Sequence, residues 1–262
     1  MDRNMNGPAA VTTTVKKKKW KVVILLVGGI VLLCIAGFFI YVSIYYHADT
    51  TAWEALPSDN DVTVTEQDGA LIFASQEPRA GFIFYPGGKV EYQAYSPLLH
   101  TLAKEGFLCI AVNMPFNLAV FNPTAADGWQ ERYPAIQRWY IGGHSLGGSM
   151  AAVYASQHSQ QLEGLILLAA YSAEDLSQSG LQVLSVYGSE DGVLNREKYQ
   201  ANLSHLPADY QELVIQGGCH AWFGSYGRQE GDGEPTISPE EQRRQTVQFI
   251  RSAISEQTDT HV

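Results

Sequence analysis

The residues best able to do chemistry stand together in Gly142-Gly143-His144-Ser145-Leu146-Gly147-Gly148. Gly143-x-Ser145-x-Gly147 is the spacing of a nucleophile elbow, where a strained strand-to-helix turn lifts a serine hydroxyl above the edge of a sheet. Glycines two before and two after the serine keep Cβ atoms out of a turn with no room for them. A serine hydroxyl is a weak nucleophile at its own pKa and needs an adjacent base. The oxyanion it would create needs amides aimed at it. A glycine-rich turn without chemical consequence has the same composition, so the flanks decide. They fit: Trp139-Tyr140-Ile141 reads as a strand and Ser149 to Ser156 as a helix.

The elements that must position this turn read as alternating strands and helices. Asp61-Val62-Thr63-Val64-Thr65 alternates with period two, and Asp68-Gly69 is a hairpin turn into Ala70-Leu71-Ile72-Phe73. Gly81 to Tyr85 and Phe107 to Val112 are continuous apolar runs, as expected of strands covered on both faces. Between them Ser96 to Lys104 reads as a helix, with Pro97 near its start and Gly106 at its C-terminal cap. Asn113 to Pro134 is irregular and aromatic, with one short helix. Strands at Gly164 to Ala170, Leu181 to Tyr187 and Glu212 to Ile215 follow, with a helix over Arg196 to Leu203. The last helix runs from Pro239 to about Glu256. Ser238-x-x-Glu241 is its capping box, and Val247, Ile250 and Ile254 form its apolar stripe. Eight strands interleaved with helices predict a mostly parallel sheet with right-handed crossovers.

Charge is unevenly divided along the 262 residues. The net formal charge is −10, yet residues 1 to 21 carry six basic residues against Asp2, leaving −15 on the remainder. An acidic body argues against a nucleic-acid partner, whose phosphates need basic surface. The basic head has another use. No charged residue occurs from Val22 to Tyr46, and Val22 to Ile44 alone would make a helix of about 34 Å against a hydrocarbon core of about 30 Å. The apolar region of a cleaved signal peptide is about 7–15 residues long and ends in a small-x-small site. Here the run is longer and ends in Tyr45-Tyr46-His47, so a signal-anchor in a lipid bilayer is expected. Lysines before the span place the N-terminus in the cytoplasm and the body outside. The expected organisation is a basic tail at 1–21 (residues 1–15 without structure), a span at 22–46, a linker at 47–60 and a catalytic domain at 61–262.

From about Asp61 to Ile254 the sequence resembles the α/β-hydrolase superfamily, and looks most like small bacterial hydrolases related to dienelactone hydrolases. The resemblance implies the α/β-hydrolase fold and a chain order of oxyanion turn, nucleophile, acid and histidine. The matching stretches are Tyr85-Pro86-Gly87-Gly88-Lys89, then Ser145, then Tyr187-Gly188-Ser189-Glu190-Asp191-Gly192, then Gly217-Gly218-Cys219-His220. A serine at the elbow, where true dienelactone hydrolases have cysteine, leaves that specific activity unimplied.

On this reading Ser145 is the nucleophile and His220 its base. Asp191 holds the imidazole in one tautomer, with Glu190 and Asp175 as alternatives. The oxyanion amides are those of Leu146 and Gly88, with Lys89 as the alternative to Gly88. The other histidines (His47, His100, His144, His158, His205, His261) fit linker, helix, elbow or tail positions. His144 is expected to pack and to point away from the nucleophile. Phe116 and Trp222 are candidate substrate contacts. Gly231-Asp232-Gly233 lacks the further carboxylates an ion site needs and reads as a turn. No cofactor and no metal is called for.

Cys109 and Cys219 would lie about five strand spacings apart, roughly 24 Å, too far for a disulfide. With Cys34 in the span, all three are expected as free thiols. Only Tyr171 to Gly180 separates the sixth strand from the seventh, too little for a lid, which favours short or soluble acyl substrates. The leading expectation is a membrane-anchored serine hydrolase of carboxylic esters, acting on a small-molecule ester or amide outside the membrane. A peptidase or amidase with the same triad is the second, and a non-catalytic surface-binding domain the third.

Overall fold

A computed structural model describes residues 12–259, and the chain divides between Ile44 and Tyr45 into two units. The first holds one helix, α1 (Thr12–Ser43). Within it Val23–Ser43 has a mean hydropathy of 3.0, long and apolar enough for a membrane anchor or a signal sequence. The tail expected without structure lies outside the described residues up to position 11 and is helical from Thr12.

The second unit opens with chain that is far from a free linker. Tyr46 donates its amide to Lys89 O at 2.7 Å and accepts from Glu91 N at 3.0 Å, so the chain is paired to the body three residues after α1 ends. Asp49 caps the short helix α2 (Thr50–Glu54), accepting from Ala52 N at 3.1 Å. The following turn is held by Asp59, which pairs with Lys104 at 2.7 Å and His100 at 3.1 Å. Polar side chains in this stretch cap and anchor, where composition alone suggests a spacer.

The strands are β1 (Val62–Gln67), β2 (Ala70–Ser75), β3 (Ala80–Tyr85), β4 (Phe107–Val112), β5 (Trp139–His144), β6 (Gly164–Leu168), β7 (Gln182–Gly188) and β8 (Gln211–Ile215). They form one sheet in the order β1-β2-β4-β3-β5-β6-β7-β8. β1 and β2 are antiparallel across the Asp68-Gly69 turn, whose φ values of 51° and 73° are those of a primed hairpin turn. From β4 to β8 every pairing is parallel.

The helices are α3 (Ser96–Lys104), α4 (Trp129–Arg132), α5 (Leu146–His158), α6 (Arg196–Asn202) and α7 (Pro239–Asp259). Side chains alternate across the sheet and define two cores. In β3, Phe82 and Phe84 join Leu98, Leu102, Val247 and Ile250 beneath α3 and α7. Ile83 and Tyr85 join Ala151, Ala152 and Ala155 beneath α5. Burial on both faces accounts for the unbroken apolar runs of β3 and β4. The order also separates the two body cysteines: Cys109 lies on β4 and Cys219 beyond β8, five strands along, and both are buried free thiols.

Candidate functional site

The C-terminal ends of β3, β5, β7 and β8 bring four loops together. Ser145 stands between β5 and α5 with φ 52° and ψ −123°, a left-handed backbone that costs a non-glycine residue about 1–2 kcal/mol. The turn is held by Ser145 N donating to Leu168 O at 2.9 Å. Gly147 is required by close approach, since a Cβ there would run into the carbonyl oxygens of Tyr85 and Pro86. The first turn of α5 thus packs on the end of β3.

Asp191 follows β7 and His220 follows β8, and the structure brings them together. Asp191 Oδ2 lies 2.9 Å from His220 Nδ1, with side chains 0% and 1% exposed. Asp191 Oδ1 accepts from Val193 N at 2.9 Å and Leu194 N at 2.8 Å, which fixes the carboxylate. An ionised carboxylate only accepts, so Nδ1 carries the proton and the lone pair lies on Nε2. His220 Nε2 is buried with no hydrogen-bond partner, so a bond from the Ser145 hydroxyl is not formed in this structure. The alternative acids are engaged elsewhere. Glu190 accepts from Ser189 Oγ at 2.9 Å, and Asp175 from Ser177 N at 3.0 Å.

In the turn after β3, Gly87 N donates to Tyr95 Oη at 3.0 Å and Lys89 N to Asn117 O at 2.7 Å. Gly88 lies between them and against Leu146: a Cβ built on it would meet Leu146 Cδ2 at 2.9 Å. The amides of Gly87 and Lys89 are thus both bonded within the protein.

Phe116 sits on the loop after β4, 44% exposed, with φ 57°, followed by Asn117 at φ 55°. Its ring packs edge-on to Phe121 at 5.6 Å. Trp222 is half-buried and packs against the core cluster that contains Phe223. His144 is buried, as its position before the elbow serine suggested. Its ring centroid is 4.5 Å from that of His220, and burial followed by the facing His220 holds its pKa well below the ordinary histidine value.

Asp232 has more to do than a turn requires. Its Oδ1 accepts from Gly192 N and His220 N, both at 3.1 Å, and from Gly233 N at 2.9 Å. Its Oδ2 accepts from Ala221 N at 2.9 Å. Burial alone would raise this carboxyl. The amides of Ala221, His220 and Gly192 reverse that, and its pKa is lowered. One carboxylate therefore ties the Asp191 loop to the His220 loop. A lone Asp between two glycines carries no sequence signal for that role. Among the described residues no group of three or more His, Cys, Asp or Glu side chains could hold a metal ion.

A strained serine on an elbow, a buried aspartate–histidine pair and a glycine turn, all at the C-terminal edge of a parallel sheet, are the marks of an α/β hydrolase. The model of the alpha/beta hydrolase family matches residues 81–244, and the chain belongs to that family. No curated protein sequence matches the chain. Among solved structures, the dienelactone hydrolase of Anabaena variabilis is 12% identical, with a TM-score of 0.54 over 75% of this chain and 99% of that one. The monoacylglycerol lipase of Paleococcus ferrophilus is 14% identical, with a TM-score of 0.55 over 73% and 99%. A membrane phospholipase A described as a bacterial virulence factor is 13% identical, with a TM-score of 0.54 over 91% and 99%.

Proposed function

We propose that this hydrolase cleaves carboxylic esters through an acyl-enzyme on Ser145, with its catalytic body held at a membrane by the helix that precedes it. The observation that carries the reading is the buried 2.9 Å contact between His220 Nδ1 and Asp191 Oδ2, which leaves Nε2 as the basic nitrogen. Ser145 Oγ attacks the acyl carbon while its proton passes to His220 Nε2. Asp191 stabilises the imidazolium through Nδ1–H. The oxyanion is met by the amides of Gly88 and Leu146, each donor of this type being worth about 3 kcal/mol in the transition state. His220 then protonates the leaving alcohol, and water, activated by the same nitrogen, releases the acid.

Ester chemistry and the membrane setting are supported by two independent features. The chain has a 21-residue apolar stretch of mean hydropathy 3.0 directly before the body. One fold relative covering 91% of it is a membrane phospholipase A. Lysines before the span, with no Lys or Arg after it until Arg79, favour an N-terminus inside and a body outside.

The test is labelling of full-length protein in membranes by a fluorophosphonate, with and without Ser145→Ala, followed by an ester panel graded by acyl length. Wild-type labelling that disappears in Ser145→Ala, with ester turnover, is expected. Labelling that survives the substitution overturns Ser145 as nucleophile, and labelling without ester turnover overturns the ester reading.

A further inference from the structure

The elbow, the oxyanion turn and the histidine loop meet at one buried pair of side chains that the chemistry above does not use. Tyr95, just before α3, is wholly buried, and its Oη accepts the Gly87 amide at 3.0 Å. The same Oη lies 2.9 Å from His144 Nδ1. A buried phenol has one proton to give, and with Gly87 already donating to it, that proton belongs to His144 Nδ1. His144 is then neutral with its proton on Nε2, a buried nitrogen with no hydrogen-bond partner, and its ring packs 4.5 Å from that of His220 and 5.6 Å from that of Phe223.

We propose that Tyr95 and His144 are positioning residues for catalysis, a directional relay that seats the oxyanion turn on the elbow and braces the imidazole of His220. The inference rests on the serine-hydrolase reading of the same site. Gly87 shows how closely the turn is seated: a Cβ there would lie 2.6 Å from Tyr95 Oη and 2.8 Å from His144 Nδ1. The amide that precedes Gly88 is therefore anchored by a side chain contributed from 8 residues further along the chain. That side chain is anchored by the residue that directly precedes the nucleophile. A shift of the phenol oxygen moves Gly87, and through it the direction of the Gly88 amide. The burden falls on the transition state, because a carbonyl oxygen reaches its final place only as the tetrahedral centre forms. Burial disfavours a charge on His144, and the facing His220 adds to this, so the pair holds a single proton arrangement.

The experiment compares Tyr95→Phe, His144→Phe and His144→Asn in the full-length protein. Asn returns an acceptor oxygen near the Nδ1 position, whereas Phe keeps only the ring. Tyr95→Phe and His144→Phe are expected to lower kcat by about 10- to 100-fold with KM little changed, the scale of a displaced catalytic group. Both should weaken binding of a trifluoromethyl ketone, which loads the oxyanion site, by a similar factor. His144→Asn should recover much of the loss. Wild-type turnover with all three variants equal to it would overturn the relay and leave the hydrolase reading intact, whereas a wild type that neither labels nor turns over would overturn both. If the variants do not fold, histidine nitrogen NMR of the wild type decides: Nδ1 unprotonated and Nε2 protonated on His144 at pH 7 is expected, and a proton on Nδ1 reverses the relay and overturns it.

Discussion

The two sides of Ser145 are built by different means. On the acid side every position is over-determined: Asp191 makes three hydrogen bonds, Asp232 accepts from four backbone amides, and the Asp191 and His220 side chains are closed to solvent. On the oxyanion side the chain is shaped by backbone conformation. Lys89, Phe116 and Asn117 all take positive φ, and Phe116, Val120 and Phe121 are exposed. On the function proposed above, the difference would separate proton transfer, which tolerates little change of geometry, from substrate recognition, which is carried on loops that can vary without disturbing it. The sheet explains where the boundary falls. Asp191 lies three residues beyond β7 and His220 five beyond β8, whereas Phe116 sits on the 26-residue connection from β4 to β5.

The largest effect should come from the acid side. Asp191→Asn leaves the packing nearly intact but offers His220 Nδ1 an amide that favours the wrong tautomer, and kcat should fall about 10⁴-fold. A fall of less than tenfold would mean that another carboxylate orients His220. Next comes Asp232→Ala, which touches no substrate but strips an acceptor from Gly192, His220, Ala221 and Gly233. Leaving part-buried amides without partners should cost about 2–3 kcal/mol in denaturant unfolding. The pH dependence has a definite sign. The folded carboxyl has a lowered pKa, so its stabilising contribution is complete above the ordinary aspartate range and is lost as pH falls through the folded value. Asp232→Asn should therefore flatten the fall in stability below about pH 4. An acid limb as steep as that of the wild type would show that the clasp is not carried by charge.

A smaller effect is expected at the oxyanion turn. Gly88→Ala places a Cβ 2.9 Å from Leu146 Cδ2, the far end of a side chain that can yield, so folding should survive. The amide should turn slightly, and kcat should fall about tenfold, well short of the loss of a whole donor. Unchanged kcat for Gly88→Ala would move the second oxyanion donor elsewhere.

How much of this was legible in the sequence follows the same division. β3 to β8 declared themselves because strands buried on both faces must be apolar throughout, and Ser145 because an elbow cannot be made without its glycines. That Asp191 and His220 would meet was legible through family order, since each follows a strand that the hydrophobic pattern marks. Asp232 and Tyr95 were not, because their roles consist of hydrogen bonds to amides far from them in the chain, and a backbone amide has no letter. Tyr46 was placed in the span and 47–60 read as a linker for the same reason: the pairing of Tyr46 to Lys89 and Glu91, and of Asp49 to Ser225, is main-chain bonding. His144 was rightly expected to pack. Its partner Tyr95, 49 residues away, lay beyond any local pattern.

The loop after β4 gives the smallest effect and the sharpest test of the contrast. Phe116 holds a left-handed backbone that a bulky side chain dislikes, and its ring is nearly half exposed. Phe116→Ala removes the ring and keeps most of the backbone cost, so stability should stay within about 0.5 kcal/mol of the wild type. Phe116→Gly removes both, and relief of the positive φ should offset the flexibility that glycine adds to the unfolded chain, leaving a gain of up to about 1 kcal/mol. If this loop recognises substrate, both variants should raise KM a few-fold for long acyl esters and leave kcat for acetate esters untouched. Any matching fall in kcat on acetate would mean that Phe116 also steadies Asn117, and through Asn117 O the Lys89 amide beside Gly88. The recognition side and the chemical side would then be coupled through a single carbonyl, and the separation drawn between them would fail at that point.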